Sequence, residues 1–297
     1  MAQHAERCAA LKVISSCVDT VKDEWLSGRV SSEKPHPLGP QMNCRPHVSV
    51  CMAAYNGERY ISQQLESILT QLEADDEVII VDDASTDGTL YQIGAFADPR
   101  IRLIEHTCNQ GVSRTFDEAL RNARNEIIFL SDQDDIWVPD KVSTVLHVFA
   151  RHPEVTLVAG DGSLIDENGV LFADSYFRPR GKFSAGVWAN LVRNRFGGCT
   201  MAFRATILNE VLPLPHRYGV LHDAWIGIRN TLAGGKAAYI DRPLILYRRH
   251  STTATGQKPL GMIRKLDLRV RMILALVSFS LRRRSKLQRY SAEEGRN

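Results

Sequence analysis

The sequence lacks the features of several large classes of protein. Its six cysteines are scattered and include no Cys-x-x-Cys pair, which argues against a disulfide framework or a zinc ribbon and favours a reducing cytosol. No charged start followed by an apolar core predicts a secretory signal, and no apolar run is long enough to cross a bilayer. With an ordinary apolar fraction of 44%, the chain is expected to be globular with a real core.

Two familiar nucleotide-binding loops are also missing. No Gly-x-Gly-x-x-Gly follows the first predicted strand, and no Walker loop occurs anywhere in the chain. Both absences argue against a dinucleotide-dependent dehydrogenase and a P-loop ATPase. A nucleotide diphosphate would therefore have to be held through something other than a glycine cradle.

The chain does contain a regular alternation of apolar strand-like runs and amphipathic helices. The predicted strands are 48–53, 78–81, 101–104, 127–130 and 156–159. Such βαβ alternation predicts an α/β fold with a Rossmann-like, mainly parallel sheet flanked by helices. Beyond residue 161 the pattern loosens into a hairpin turn at 166–169, a helix at 223–232 and strands at 237–240 and 244–247. This half is expected to complete the sheet and to supply an acceptor pocket.

Three carboxylates follow the predicted strand at 127–130, in the stretch IIFLSDQDDIW: Asp132, Asp134 and Asp135. Like charges this close raise one another's pKa values unless a cation lies between them. A Mg²⁺ or Mn²⁺ ion prefers oxygen ligands and keeps positions open for substrate phosphates. Because ligands of open α/β sheets bind at the carboxyl ends of strands, we predict a divalent cation that holds a nucleotide diphosphate here.

A second acidic group, VDDASTDG, follows the strand at 78–81. A helix N-terminus explains Asp87 and Gly88, since an aspartate there caps free backbone N–H groups. That interpretation leaves Asp82 and Asp83 unexplained. A carboxylate at a strand end can accept hydrogen bonds from a nucleobase N–H or from ribose hydroxyls.

The two ends of the chain differ from its centre. A narrow helical stripe at 11–25, followed by a linker rich in proline, predicts a helix that packs on the domain or on a partner. From residue 257 onward lysine and arginine dominate, around the apolar run 272–281. That composition fits an amphipathic helix lying in a membrane interface. A helix packed on the domain and a nucleic-acid tail are the alternatives, and the scarcity of aromatic residues weakens the second.

Several of these motifs resemble family-2 glycosyltransferases with the GT-A fold. The three that carry the resemblance are VCMAAYNGE at 50–58, VDDASTDG at 81–88 and SDQDDIW at 131–137. Two more, LHDAW at 221–225 and YRRH at 247–250, are similar to the rhamnosyltransferase-like members.

The resemblance covers roughly residues 48–256, and it implies three parts. Residues 1–46 would form an N-terminal helix and linker, 47–256 the GT-A domain, and 257–297 a basic amphipathic tail.

The resemblance also implies roles for particular residues. The expected nucleotide-sugar site comprises Ala54, Tyr55, Glu58, Asp83, Arg114 and Asp132. Asp132 and Asp134 would form the Asp-x-Asp pair that reaches ribose and metal-bound diphosphate, with Asp134 favoured for the metal. His250 would complete the metal shell or contact the diphosphate, and a purely structural histidine is the alternative. An exposed salt bridge is the alternative for Arg114.

Asp223 is similar to the general base of the family. A positioned carboxylate can take the proton of an acceptor hydroxyl as that hydroxyl attacks the anomeric carbon. The cation would stabilise the departing diphosphate as a Lewis acid. One base opposite the leaving group implies in-line displacement with inversion. A helix N-cap is the alternative role for Asp223, and both roles can hold.

We therefore expect an inverting glycosyltransferase that uses Mg²⁺ or Mn²⁺ and a nucleotide-diphosphate sugar, with rhamnose as the candidate sugar. The acceptor would be a saccharide or a lipid-linked molecule in cell-surface polysaccharide synthesis of the O-antigen or capsule type. The enzyme would lie in the cytoplasm, peripheral on the inner face of the membrane, without a nucleic-acid partner. Ala224 and Thr253 depart from the family pattern near the expected sugar sites.

Two rivals remain. A sugar nucleotidyltransferase would normally carry a glycine- and arginine-rich loop after its first strand, and AAYNG at 53–57 is not such a loop. An inactive relative that binds nucleotide sugar or docks on a membrane is the other rival, and the intact Asp132, Asp134 and Asp223 argue against it.

Overall fold

The computed structural model describes residues 45–250 and 261–294. The helix predicted within residues 1–46 and the departure at Thr253 therefore lie outside the described residues. The described chain belongs to one compact unit that begins at Arg45.

One nine-stranded sheet organises the described residues. Its strands are β1 (Val48–Ala54), β2 (Glu77–Asp82), β3 (Ile101–Glu105), β4 (Ile127–Asp132), β5 (Ile136–Trp137), β6 (Val155–Ile165), β7 (Leu171–Ala173), β8 (Ala202–Arg204) and β9 (Lys236–Arg248). Their order in the sheet is β3-β2-β1-β4-β8-β6-β9-β5, and β7 pairs with β6. The helices are α1 (Ile61–Leu69), α2 (Thr89–Gly94), α3 (Val112–Asn122), α4 (Lys141–Arg151), α5 (Val187–Val192), α6 (Leu208–Val211), α7 (His222–Leu232) and α8 (Met262–Glu294).

The predicted α/β fold class is confirmed, and the strand directions show where the pattern changes. β3, β2, β1 and β4 are parallel neighbours, and β6 and β9 form a further parallel pair. The short strand β8 runs antiparallel between β4 and β6, and β5 and β7 are antiparallel to β9 and β6. The strands predicted at 237–240 and 244–247 are instead one strand, β9. Three-residue strands such as β8 leave too little sequence pattern to be predicted.

The core lies in two layers, one on each face of the sheet. Val48, Val50 and Met52 of β1 are buried on the face covered by α1 and α4, whereas Cys51 is buried on the opposite face. This alternation follows from the two-residue period of a strand. Both faces of β1 are covered because parallel strands joined by helices are buried on both sides.

The second layer contains α3, α7 and part of α8. Trp225 of α7 and Phe116 of α3 are fully buried in it, and α8 packs on it through Met272 and Ala275. The predicted C-terminal amphipathic helix is therefore present. In the part of the chain that the structure describes, no helix combines the length and apolarity needed to cross a membrane.

The close approach of α7 to the segment before β8 gives a test of this packing. A Cβ added to Gly227 would collide with the ring of Phe196, which is itself buried. We expect Gly227→Ala to destabilise the protein by about 1–3 kcal/mol, because overpacking displaces buried groups. Denaturant unfolding followed by circular dichroism measures the change.

The matched control is Gly94→Ala at the end of α2, where an added Cβ meets nothing within 4 Å. This variant should be neutral or slightly more stable, because alanine reduces the freedom of the unfolded chain. Equal effects of the two substitutions would contradict the described packing of α7.

Candidate active site

The register of three neighbouring strands brings the predicted acidic groups to one edge of the sheet. Ala54 at the end of β1 lies opposite Asp82 of β2, and Ala53 lies opposite Asp132 of β4. The two acidic motifs therefore flank the carboxyl end of β1, as the strand assignments predicted.

Asp83 lies at the end of β2 and fixes the start of helix α3. Its Oδ1 accepts hydrogen bonds from the Gln110 N–H at 2.7 Å, and its Oδ2 accepts one from the Gly111 N–H at 2.8 Å. His106 Nδ1 lies 2.7 Å from the same Oδ1. Much of the hydrogen-bonding capacity of this buried carboxylate is therefore used within the protein, and one acceptor position remains on Oδ2.

His106 is a residue of this region that the sequence pattern did not reveal. Its two ring nitrogens bridge Asp83 and Glu118, with Nε2 lying 2.8 Å from Glu118 Oε2. Burial lowers the pKa of His106, but the hydrogen bonds to both carboxylates outweigh burial and raise that pKa above its usual value. A single histidine after β3 carries no distinctive spacing, so only the fold could identify it.

The loop after β1 is held by the middle residue of the Asp-x-Asp motif. Gln133 Oε1 accepts from the Tyr55 N–H, and Gln133 Nε2 donates to the Tyr55 carbonyl, both at 2.8 Å. A Cβ on Gly57 would collide with the Gln133 side chain. Glu58 Oε2 accepts from the Gly88 N–H at 3.0 Å. The Ala54 carbonyl accepts from the Asp83 N–H at 2.8 Å. Ala54 and Glu58 therefore contact the motif at 81–88, and Tyr55 contacts the motif at 131–137.

Asp134 and His250 lie side by side although they are far apart in sequence. Asp134 Oδ2 is 2.8 Å from His250 Nε2, and their side chains are 16% and 9% exposed. The His250 ring also lies 5.0 Å from the Tyr60 ring. A carboxylate oxygen and an imidazole nitrogen in contact can share one divalent cation.

Arg248 holds the acidic loop against the end of β9. Its backbone N–H donates to Asp135 Oδ1 at 3.0 Å, and its Nε donates to the Asp134 carbonyl at 2.9 Å. Its guanidinium lies over the Tyr60 ring, 4.7 Å from the centroid. This buried arginine keeps the loop in place beside His250, and it explains part of the YRRH motif in structural terms.

Asp132, Asp135 and Cys199 form an inner cluster next to this pair. One carboxylate oxygen of each aspartate and the Cys199 sulfur all lie within 4.8 Å of one another. Asp135 is fully buried, and its Oδ2 has no hydrogen-bond partner among the described residues. Burial, then the charges of Asp134 and Asp223, raise the pKa of Asp132 to about 7. Burial and the neighbouring Asp134 and Asp132 also raise the pKa of Asp135.

Lys141 supplies a positive charge to this inner cluster. It is fully buried, its Nζ donates to the Cys199 carbonyl at 2.7 Å, and it lies 3.8 Å above the Trp137 ring. Burial lowers the pKa of Lys141 to about 7, against the opposing effect of the neighbouring Asp135 and Asp132. Its place four residues before the buried Val145, on the apolar face of α4, is the signal that could have identified it.

Asp223 lies in the first turn of α7 and within electrostatic reach of Asp132. The N-cap position belongs to Leu221, so the alternative role of Asp223 as a helix N-cap is wrong. Burial raises the pKa of Asp223 to about 6, and hydrogen bonds from Ala224, Asn194 and Gly198 limit that rise.

Next to it, a Cβ on Gly198 would lie 2.7 Å from His222 Nε2. The glycines at 197–198 therefore let the backbone approach the start of α7 closely.

Arg114, the remaining predicted site residue, lies in the first turn of α3. It is exposed on α3, and its Nη1 donates to Gln110 Oε1 at 3.2 Å. Since the Gln110 N–H is bound by Asp83, Arg114 lies on the helix start that Asp83 anchors. A nucleotide contact by Arg114 stays a prediction.

Comparison with known proteins finds a matching family model and similar relatives. The family model described as glycosyl transferase family 2 matches residues 49–212. The glucosyltransferase WfgD of Escherichia coli, named for UDP-Glc and an α-D-GlcNAc-diphosphoundecaprenol acceptor, is 29% identical over 175 residues. That match covers 57% of this chain and 65% of WfgD, so the chain spans just under two thirds of that relative.

Two solved structures share the fold. Staphylococcus aureus TarS in complex with UDP-GlcNAc aligns with a TM-score of 0.60 at 19% identity, over 77% of this chain and 66% of TarS. The mannosyltransferase PcManGT from Pyrobaculum calidifontis, in complex with GDP-Man and Mn²⁺, aligns with a TM-score of 0.52 at 25% identity. That alignment covers 83% of this chain and 67% of PcManGT.

The raised pKa of Asp223 leads to a prediction about stability. A carboxyl group whose pKa is about 6 in the folded state, against 3.8 ordinarily, binds its proton more tightly when folded. Its ionised form therefore lowers stability, fully above pH 6 and progressively less as the pH falls toward 4. We expect Asp223→Asn to be more stable than the unchanged chain by about 3 kcal/mol at pH 8.

Thermal unfolding at pH 8 and at pH 5 measures this difference, which should shrink at the lower pH. Asp241→Asn, at an exposed position of β9, serves as the control and should change little at either pH. A less stable Asp223→Asn variant at pH 8 would contradict the assigned burial of an ionised carboxylate.

Proposed function

The chain belongs to glycosyl transferase family 2, and from this premise we propose that it transfers a sugar from a nucleotide-diphosphate donor to an acceptor hydroxyl with inversion. The observation that carries the proposal is the meeting of Asp132, Asp134 and His250 with Asp223 at the carboxyl edge of the sheet. Metal-binding carboxylates and a separate general base lie at one edge of the sheet. This arrangement suits transfer of a sugar between two bound substrates.

Asp134 and His250 are the residues that would hold Mg²⁺ or Mn²⁺, with Asp132 beside them. The donor set fits, because it offers carboxylate oxygens and one imidazole nitrogen, and because the buried Asp135 Oδ2, which has no hydrogen-bond partner among the described residues, is a further carboxylate oxygen nearby. The complex of PcManGT with GDP-Man and Mn²⁺ supports this choice. When bound, the cation would act as a Lewis acid on the diphosphate leaving group.

The nucleoside would lie along the ends of β1 and β2. Tyr55 is 45% exposed and offers a ring face, and Asp83 retains acceptor capacity on Oδ2. Ala54 and Glu58 line the same loop, and Arg114 lies at the start of α3 that Asp83 anchors. These positions would provide hydrogen-bond partners for the nucleobase and for the ribose of the donor without a glycine-rich loop.

Asp223 would accept the proton of the attacking hydroxyl. Its pKa of about 6 keeps the carboxylate ionised at neutral pH and closer to an effective general base than an ordinary aspartate. The first turn of α7 and a hydrogen bond from the Ala224 N–H at 2.6 Å hold it in place. With this single base on the acceptor side, the nucleophile attacks opposite the leaving group and the anomeric configuration is inverted.

The acceptor that we propose is a saccharide or a lipid-linked saccharide used in cell-surface polysaccharide synthesis. The name of the relative WfgD supports a lipid diphosphate acceptor for that enzyme. Rhamnose is the donor sugar that the motifs at 221–225 and 247–250 favour. We place the enzyme in the cytoplasm, peripheral on the inner face of the membrane through its C-terminal segment, with residues 47–256 as the catalytic part.

The two rivals account for less of the site. A sugar nucleotidyltransferase has no use for a base such as Asp223 on the acceptor side, and the family match favours glycosyl transfer. An inactive relative would not require a carboxylate that is kept half-buried at the expense of stability. Transfer is therefore the function that the geometry supports best.

Loss of the proposed metal residue is the first test. We expect Asp134→Ala to weaken Mn²⁺-dependent binding of UDP or GDP at least about tenfold, because the cation loses one of its two adjacent ligands. Titration calorimetry with and without Mn²⁺ measures the effect. Asp140→Ala, which removes a half-exposed carboxylate paired with Arg242, is the control and should bind as the unchanged chain does. Unchanged nucleotide binding by Asp134→Ala would refute the metal assignment.

Loss of the proposed base is the second test. Asp223→Asn should bind donor normally while kcat/KM for transfer falls roughly 100-fold or more, since general base catalysis typically contributes that much. In the unchanged enzyme, kcat/KM should fall as the pH drops below about 6, where the Asp223 carboxylate becomes protonated. Radiolabelled sugar transfer across this pH range measures both effects. Transfer by the variant at the normal rate, or a flat profile through pH 6, would remove Asp223 from this role.

A further inference from the structure

Helix α8 has an outward apolar face in addition to the one that packs on the domain. Met272 and Ala275 are buried against the core, whereas eight large apolar side chains on the helix are between 46% and 87% exposed. They are Met262, Ile263, Leu266, Val270, Ile273, Leu274, Val277 and Leu281. At 100° per residue they fall within an arc of about 120°, opposite the packed face, and extend roughly 30 Å along the helix.

Helix α5 continues this apolar surface. Its Trp188 and Val192 are 79% and 65% exposed, and their spacing of four residues places them on the same side of the helix. Arg269 of α8 donates to the Val192 carbonyl at 2.9 Å, so the end of α5 lies against α8. On the helical wheel, Arg269 lies between the packed face of α8 and its outward face, which puts Val192 at the border of the latter.

The charges beside the outward face decide what can cover it. Between residues 262 and 283, six cationic side chains stand beside a single acidic one, Asp267. The six are Arg264, Lys265, Arg269, Arg271, Arg282 and Arg283. Asp267 pairs with Arg271 at 2.8 Å, and Arg283 pairs with Glu210, which leaves the surroundings strongly positive. A second copy of the chain would bring like charges together, whereas an anionic lipid surface would neutralise them.

We propose that the outward face of α8, together with Trp188 and Val192 of α5, is one docking face that binds an anionic lipid bilayer. The apolar side chains enter the boundary between headgroups and acyl chains, and the flanking arginines and lysine contact the headgroup charges. Trp188 lies at headgroup depth, where the amphipathic indole ring is most favourable. Burial of several large side chains gives such a helix its affinity without a membrane span.

The docking face is connected to the proposed base. Helix α5, which carries Trp188 and Val192 of the docking face, packs against α7, which carries Asp223. This step rests on the proposed function: a base next to a membrane-bound helix takes its proton from a hydroxyl held at the bilayer surface. The docking face therefore favours a lipid-linked acceptor over a free saccharide.

The test is binding of the full chain to vesicles of equal parts phosphatidylglycerol and phosphatidylcholine, in a chain carrying Trp25→Phe. Trp137 and Trp225 are buried, so Trp188 reports contact with lipid through a blue shift of its fluorescence and quenching by brominated lipids. We expect both signals. In co-sedimentation with the same vesicles, we expect Trp188→Ser to weaken binding about tenfold because one large apolar side chain no longer inserts. Leu266→Ser with Val277→Ser should weaken it further. Tyr91→Ser, at a 78% exposed aromatic of α2, is the matched control and should bind normally.

Several outcomes would overturn the proposal. These are vesicle binding that Trp188→Ser leaves unchanged, a Trp188 that brominated lipids do not quench, and equal binding to phosphatidylcholine alone. A lipid-free dimer that the Leu266→Ser and Val277→Ser changes dissociate would show that a second copy covers the face. Vesicle binding is measured without sugar donor or acceptor. Its failure would therefore overturn the docking face alone, and a failure of Mn²⁺-dependent nucleotide binding would overturn the proposed function alone.

Discussion

The structure depends on the compensation of negative charge at the end of β4. Asp132, Asp134 and Asp135 lie within four positions of one another, and α7 adds Asp223 from the other side. Ionised carboxylates this close and this buried repel one another and lose hydration, which raises the pKa values of Asp132 and Asp135. A sheet edge with so much buried acid is stable only if positive charge or hydrogen-bond donors lie among the carboxylates.

The protein provides part of that compensation itself. Lys141 adds a buried ammonium group beside the inner cluster, and Arg248 binds both the backbone and the side chain of the acidic loop. Neither forms a hydrogen bond with Asp135 Oδ2, and the partner of the Asp134 side chain is His250, at 2.8 Å. The remaining negative charge would attract a divalent cation, which in turn would hold the anionic diphosphate of the donor. The same charges that make this edge unfavourable in isolation thus make it suitable for an activated nucleotide sugar.

Local sequence pattern was sufficient for the parallel half of the sheet and for the acidic motifs. Strands β1 and β4 are unbroken apolar runs followed by polar residues, so their ends, and the position of Asp132, could be predicted from the chain alone. The contact between Asp134 and His250 needed the family resemblance, because 116 residues separate the two and no local rule connects them. His106 was missed because a single histidine gains its role only from neighbours that the fold supplies, whereas Lys141 could have been identified from its place on the apolar face of α4. The sequence shows a single apolar run in α8. Only the fold distinguishes the face that packs on the domain from the face that points outward.

The central claim is that a divalent cation bridges these carboxylates to the diphosphate of a nucleotide. Titration calorimetry of UDP and GDP into the unchanged full-length chain, once with Mn²⁺ and once with a chelator, tests it most directly. We predict that one of the two nucleotides binds at least about tenfold more tightly with Mn²⁺, a difference of about 1.4 kcal/mol or more. Equal affinity in the presence and absence of the ion, or no binding of either nucleotide, would contradict the account.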